Sequence, residues 1–119
     1  MLILARIQRS ELRWITGEAV EIELAQGPVG DRRVWVEQLL SFAHERVAIT
    51  AHEVSRARDL AAIGFRPMDA LHVACAESGA ADVFLTTDDA LLRVARRESA
   101  RLRVAVRNPL RWLEEVVRQ

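Results

Sequence analysis

Short apolar runs rich in β-branched residues alternate along this chain with longer stretches of helical period, and that alternation is its strongest constraint. The clearest run is residues 82–87, DVFLTT, whose apolar centre and β-branched Val and Thr read as a buried strand. Residues 14–16, 46–50 (RVAIT) and 102–107 read as three more strands. Between them lie helical segments. Residues 2–12 set Leu2, Ile3, Leu4, Ile7 and Leu12 at helical spacing, in a helix that begins at Met1 without a capping residue. Residues 18–26 follow Gly17 and close at Gly27 and Pro28. Asp31 can cap a helix running to about Glu45, with Val34, Trp35, Leu39, Leu40 and Phe42 on its apolar face. Residues 51–63 stop at Gly64, and Pro67 suits the first turn of a helix reaching Gly79. Small residues in that helix, Ala70, Ala74, Cys75 and Ala76, allow close packing on a sheet. Asp88 and Asp89 open a helix to about Ser99, and Asn108 with Pro109 starts the last one. Strands each separated by a helix predict a parallel sheet covered on both faces.

At 119 residues, half of them hydrophobic, the chain can bury one core and is too short for two ordinary domains. Its 17 basic and 17 acidic residues cancel, so a nucleic-acid or membrane partner must be met by a local patch. All the basic residues are Arg. The absence of Lys excludes Walker-type P-loops, Schiff-base enzymes and phospho-receiver domains, which all use an ammonium. The lone Cys75 excludes an internal disulfide and a multi-cysteine zinc knuckle, which fits a reducing cytoplasm. No apolar run approaches a membrane span or a secretory signal, and the expected location is cytoplasmic.

In parallel sheets ligands bind beyond the carboxyl ends of the strands, which directs attention to Asp88, directly after DVFLTT and beside Thr86 and Thr87. An Asp there is also an ordinary helix N-cap, and Asp89 an ordinary first-turn acid that complements the helix dipole. Asp69 lies in the first turn after Pro67. As a pair, Asp69 and Asp88 at helix starts by one sheet edge can converge on a hard divalent cation. A third acid must come from Glu18, Glu21 or Glu23; the helical wheel sets Glu21 and Glu23 on opposite flanks of the Val20 and Leu24 stripe and does not choose between them. His72 and Cys75, three apart, make only an incomplete zinc pair. Trp14, Trp35 and Trp112 read as core or interface anchors. Arg93, Arg96 and Arg97, with Arg101 and Arg103, are solvated charges or a grip for phosphates.

The block FRPMDALHVACAESGAADVFLTTDD at residues 65–89 closely resembles the second half of a PIN domain, the fold of VapC-like toxin ribonucleases, and RVAVRNPLRWLEE resembles the family's last strand and helix. The resemblance extends more weakly to the start of the chain and implies a PIN-like three-layer α/β/α sandwich with a parallel sheet, filling residues 1–119 as one domain. It implies a metal-dependent endoribonuclease using Mg²⁺ or Mn²⁺, with Asp69 matching the acid of the D-A-L helix and Asp88 the acid after the T-x-D strand. Thr86 matches the hydroxyl residue beside that acid. Glu23, followed by Leu24, resembles the family's E-L glutamate, with Glu21 the alternative. The partners implied are an RNA substrate and an antitoxin protein, with no membrane.

The chain departs from the family at its start, where a short apolar strand normally ends in the first metal-ligand Asp and lies mid-sheet. No aspartate here precedes Asp31. Either the start lies downstream of that strand or the copy is degenerate, and the uncapped first helix favours the former. Its absence would leave the strand at 14–16 and DVFLTT with open edges, predicting marginal stability and self-association, a homodimer included. The alternative function is a non-catalytic PIN-like interaction module with a vestigial acid cluster.

Overall fold

In a computed structural model, which describes residues 2–9 and 11–117, the chain runs α1 (Leu2–Gln8), β1 (Ile15–Gly17), α2 (Glu18–Gln26), α3 (Asp31–Leu40), β2 (Glu45–Val47), α4 (Ala51–Ala62), α5 (Pro67–Ser78), β3 (Val83–Leu85), α6 (Asp89–Arg97), β4 (Ala105–Arg107) and α7 (Pro109–Val117). A short 3₁₀ turn, Ser99–Arg101, joins α6 to β4. The expected uncapped start at Met1 lies outside the described residues. Each of the four strands leads into a helix, as the alternation predicts, and the architecture is mixed α/β with parallel strands.

The strands form two parallel pairs. Ile15, Thr16 and Gly17 of β1 lie opposite Glu45, Arg46 and Val47 of β2, and Val83, Phe84 and Leu85 of β3 lie opposite Ala105, Val106 and Arg107 of β4. The expected single sheet is therefore divided in two, and among the described residues each strand keeps one edge without a strand partner. Helix α5 packs against both pairs and joins them.

The main core gathers Ala57 and Leu60 of α4, Phe65, Ala70, Val73 and Ala74 at α5, Leu91 and Ala95 of α6, and Val104 and Val106 at β4. Leu60 and Val73 are wholly enclosed, and truncating such a leucine to alanine costs about 2 to 5 kcal/mol. The small side chains of α5 let a second layer approach from the other pair. A Cβ added at Gly17 would lie 2.8 Å from Cβ of Cys75, so glycine is what admits β1 this close to the helix. Gly64, at φ 124°, closes α4 in the left-handed region, where a side chain is strained.

Several strands are shorter than their sequence suggests. The run at 46–50 pairs only through Val47, because the Ile49 N–H donates to Glu18 Oε1 (2.8 Å) and Thr50 turns to cap α4. There the Thr50 N–H donates to Glu53 Oε1 (2.7 Å) and Thr50 Oγ1 accepts from the His52 N–H (3.2 Å), so the residues at 50–53 form a capping box. The run at 102–107 starts late, since the Arg103 N–H donates to Glu77 Oε2 (2.8 Å), the carboxylate that Arg56 also binds. The first helix ends at Gln8, short of the expected Leu12. Helix α3 ends at Leu40 and buries no residue fully; Trp35 is 58% exposed, so the expected anchor is not a core residue.

Candidate functional site

Arg66, just before α5, reaches Asp88 at the start of α6, and the Asp88 charge acts on Asp69 in the first turn of α5. Pro67 starts α5 with φ already set for a helix and no N–H to leave unpaired, which places Asp69 in the first turn. After β3 the Thr86 N–H continues the ladder by donating to Arg107 O (3.0 Å), and Thr86 Oγ1 accepts from the Asp88 N–H (3.1 Å). This hydroxyl bond shapes the turn that presents Asp88. Asp88 Oδ1 accepts from the Leu91 N–H (3.1 Å) and caps α6, while Oδ2 lies 3.9 Å from Nη1 of Arg66.

Asp69 is half-buried, and only the charges around it and its own burial act on its carboxyl. Burial pushes that carboxyl above the usual range first, and the Asp88 charge adds to it; Arg66 and His72 pull back, and Glu23 pushes up again. Three acids thus share one neighbourhood. Glu23 comes to it from α2, its Oε2 lying 2.7 Å from His72 Nε2, and the His72 ring meets Phe84 edge-on at 6.2 Å between centroids.

Glu21 goes elsewhere. Its carboxylate accepts from Arg46 of β2, and that hydrogen-bonded guanidinium holds the Glu21 carboxyl below its usual range. The wheel that leaves the two glutamates equivalent is resolved by what each meets across the fold. Glu18 supports the exit of β2. Cys75 is buried against β1, and burial pushes its thiol up.

Two neighbours of the acids have roles that the sequence does not announce: Arg66, and His72, which reads there only as half of an incomplete zinc pair. Arg66 is a counter-charge to both Asp88 and Asp69, and its signal is its place just before the helix-starting proline. His72 fixes Glu23, and its signal is the spacing of three from Asp69, which places both on one face of α5.

The donor set suits a hard cation in part. Mg²⁺ is commonly held by one or two carboxylates with retained water, and Asp69 with Asp88 Oδ2 offers that. Among the described residues, no group of three His, Cys, Asp or Glu side chains is drawn close enough to ligate one ion.

A family profile described as PIN domain matches residues 2–97. This chain belongs to the PIN-domain family. No curated protein and no solved structure matches it. PIN domains are in general nucleases dependent on divalent metal, acting on nucleic acid. No helix among the described residues is long and apolar enough to cross a membrane.

Proposed function

We propose that the chain is an endoribonuclease dependent on Mg²⁺ or Mn²⁺, the toxin of a toxin–antitoxin pair acting on cytoplasmic RNA, with Asp69 and Asp88 holding the cation and Glu23 completing the acidic set. The observation that carries this reading is the convergence on Asp69. Burial raises its carboxyl first, the like charges of Asp88 and, last, Glu23 add to it, Arg66 and His72 offset it, and the like-charge part is what a divalent cation relieves. When bound, the cation supplies a lowered pKa for attacking water and offsets charge on the phosphate. The protein side chains do the rest of the positioning: Thr86 shapes the turn under Asp88, His72 holds Glu23, and Arg66 stands ready to neutralise Asp88 or meet a phosphate oxygen.

A second reading, the non-catalytic interaction module, is favoured by the engaged state of the acids. Asp88 Oδ1 is spent on the cap and Glu23 Oε2 on His72, and no three-ligand group is assembled among the described residues. Calorimetric titration with Mn²⁺, alongside cleavage of labelled single-stranded RNA with Mn²⁺ or EDTA, separates the two. The nuclease reading expects Mn²⁺ binding and cleavage that both vanish in Asp69→Asn. Absence of both in the wild-type chain supports the module.

A further inference from the structure

Between α6 and α7, floored by β4, lies an open groove of about 1070 Å³. Five arginines line it: Arg93 and Arg96 from α6, Arg103 and Arg107 at the two ends of the β4 segment, and Arg111 from α7. All five are exposed, and none has a carboxylate within 4.0 Å among the described residues. Elsewhere on the molecule Arg13, Arg46 and Arg56 are each matched to a glutamate. The acids in the groove are Asp89 and Glu115, so five guanidinium groups face two carboxylates in a chain of zero net charge. Positive charge has been gathered here locally.

The chemistry of the lining selects the ligand. Guanidinium forks match phosphate oxygens in a planar, two-point fashion. Among the described residues no aromatic side chain lines the groove, so it offers no platform on which bases could stack, and it reads a backbone rather than bases. Its position gives a direction: Asp89 at its rim adjoins Asp88, and the bond from the Thr86 N–H to Arg107 O fixes the end of β4 beside the turn that carries Asp88.

We propose that this groove holds the phosphate backbone of a single-stranded nucleic acid, which continues from Arg107 towards Asp69 and Asp88. The continuation rests on the nuclease reading, whereas the groove does not. Five phosphate contacts on a single strand predict a slope of log affinity against log salt of about −3.5, or roughly a hundredfold loss between 50 and 200 mM salt.

The test is fluorescence anisotropy of a labelled single-stranded oligoribonucleotide with the full chain in EDTA, where binding is read without cleavage. Wild type should show the steep slope. The triple variant Arg93→Gln, Arg96→Gln, Arg107→Gln should bind at least tenfold more weakly with a slope of about −1.4, while the matching triple Arg→Lys variant keeps most of the slope. Should the glutamine triple fail to fold, Arg96→Gln alone should lower the slope by about 0.7. Wild-type affinity and slope in the glutamine variants would overturn the proposal. So would equal or tighter binding of polyglutamate of the same length through the same arginines, the mark of an acidic protein partner. Binding that depends on the arginines with no cleavage on adding Mn²⁺ leaves the groove standing and fails the nuclease; cleavage with unchanged KM in the triple variant does the reverse.

Discussion

Asp88 caps α6 and is also the proposed cation ligand, and substituting it in two ways separates the two roles. Its Oδ1 caps α6 through the Leu91 N–H, while Oδ2 faces Arg66 and the Asp69 neighbourhood. Asparagine caps a helix as well as aspartate, so Asp88→Asn should leave stability without metal unchanged, or raise it by removing the charge that pushes Asp69 up. Alanine loses the cap, so Asp88→Ala should cost about 1 kcal/mol, a fall in Tm of roughly 4 °C for a chain of this size. The Arg66 pair adds little to either, being exposed and long. Free Mn²⁺ at ten times its Kd should stabilise wild type by about 1.4 kcal/mol through mass action, and neither variant should respond. Asp69→Asn should also lose the response. Because its folded carboxyl is raised, stability is lost as pH rises above the ordinary carboxylate value and the loss is complete above the raised one, so this variant should be more stable than wild type at neutral pH in EDTA. Thermal melts of the four proteins with EDTA or Mn²⁺ decide the matter. A full Mn²⁺ response in Asp88→Asn, or equal EDTA stability of Asp88→Asn and Asp88→Ala, would refute the assignment of the two oxygens.

Glu53 is buried, and hydrogen bonds from Ser78 and Thr50 hold its carboxyl down to about 2, so its contribution is full above about pH 4.5 and lost as pH falls towards 2. Glu53→Gln should therefore cost about 2 to 3 kcal/mol at pH 7 and flatten acid unfolding in that window, measured by urea titration at a series of pH values. Thr16 Oγ1, on β1, is the buried side-chain polar atom that lacks a partner among the described residues. Thr16→Val keeps the shape and removes that cost, so it should raise stability by about 1 kcal/mol in the same assay.

Helix limits are legible where a residue type ends a helix by its own backbone chemistry. Gly17 and Gly27 bracket α2, Pro67 and Gly79 bracket α5, and both helices lie where these residues predict. Strand limits are less so, because a strand stops when its N–H groups find other acceptors, and these come from distant parts of the chain. Ile49 leaves the ladder for Glu18, 31 residues earlier, and Arg103 for Glu77, 26 residues earlier. The pattern at 50–53 is a capping box in plain view, yet it overlaps a β-branched run that reads equally well as strand. In α3 the period is legible and the burial is not, since periodicity marks an apolar face without saying what covers it.

The site divides along the same line. Asp88 is legible because it sits in the turn after β3, at the carboxyl end of a strand, and Asp69 because Pro67 fixes the helix start that puts it in the first turn. Glu21 and Glu23 are equivalent on their own helix and differ only in what stands opposite, Arg46 for one and His72 for the other. Arg66 and His72 belong to the site through neighbours rather than through motif. The ambiguity at Asp88 has another cause: a cap and a metal ligand are the same residue type at the same helix start, and spacing cannot tell them apart. The fold shows that they need not compete, because the cap uses one oxygen and leaves the other facing Arg66. A cation would then have to displace a guanidinium, not a backbone N–H, so binding metal leaves the helix start intact.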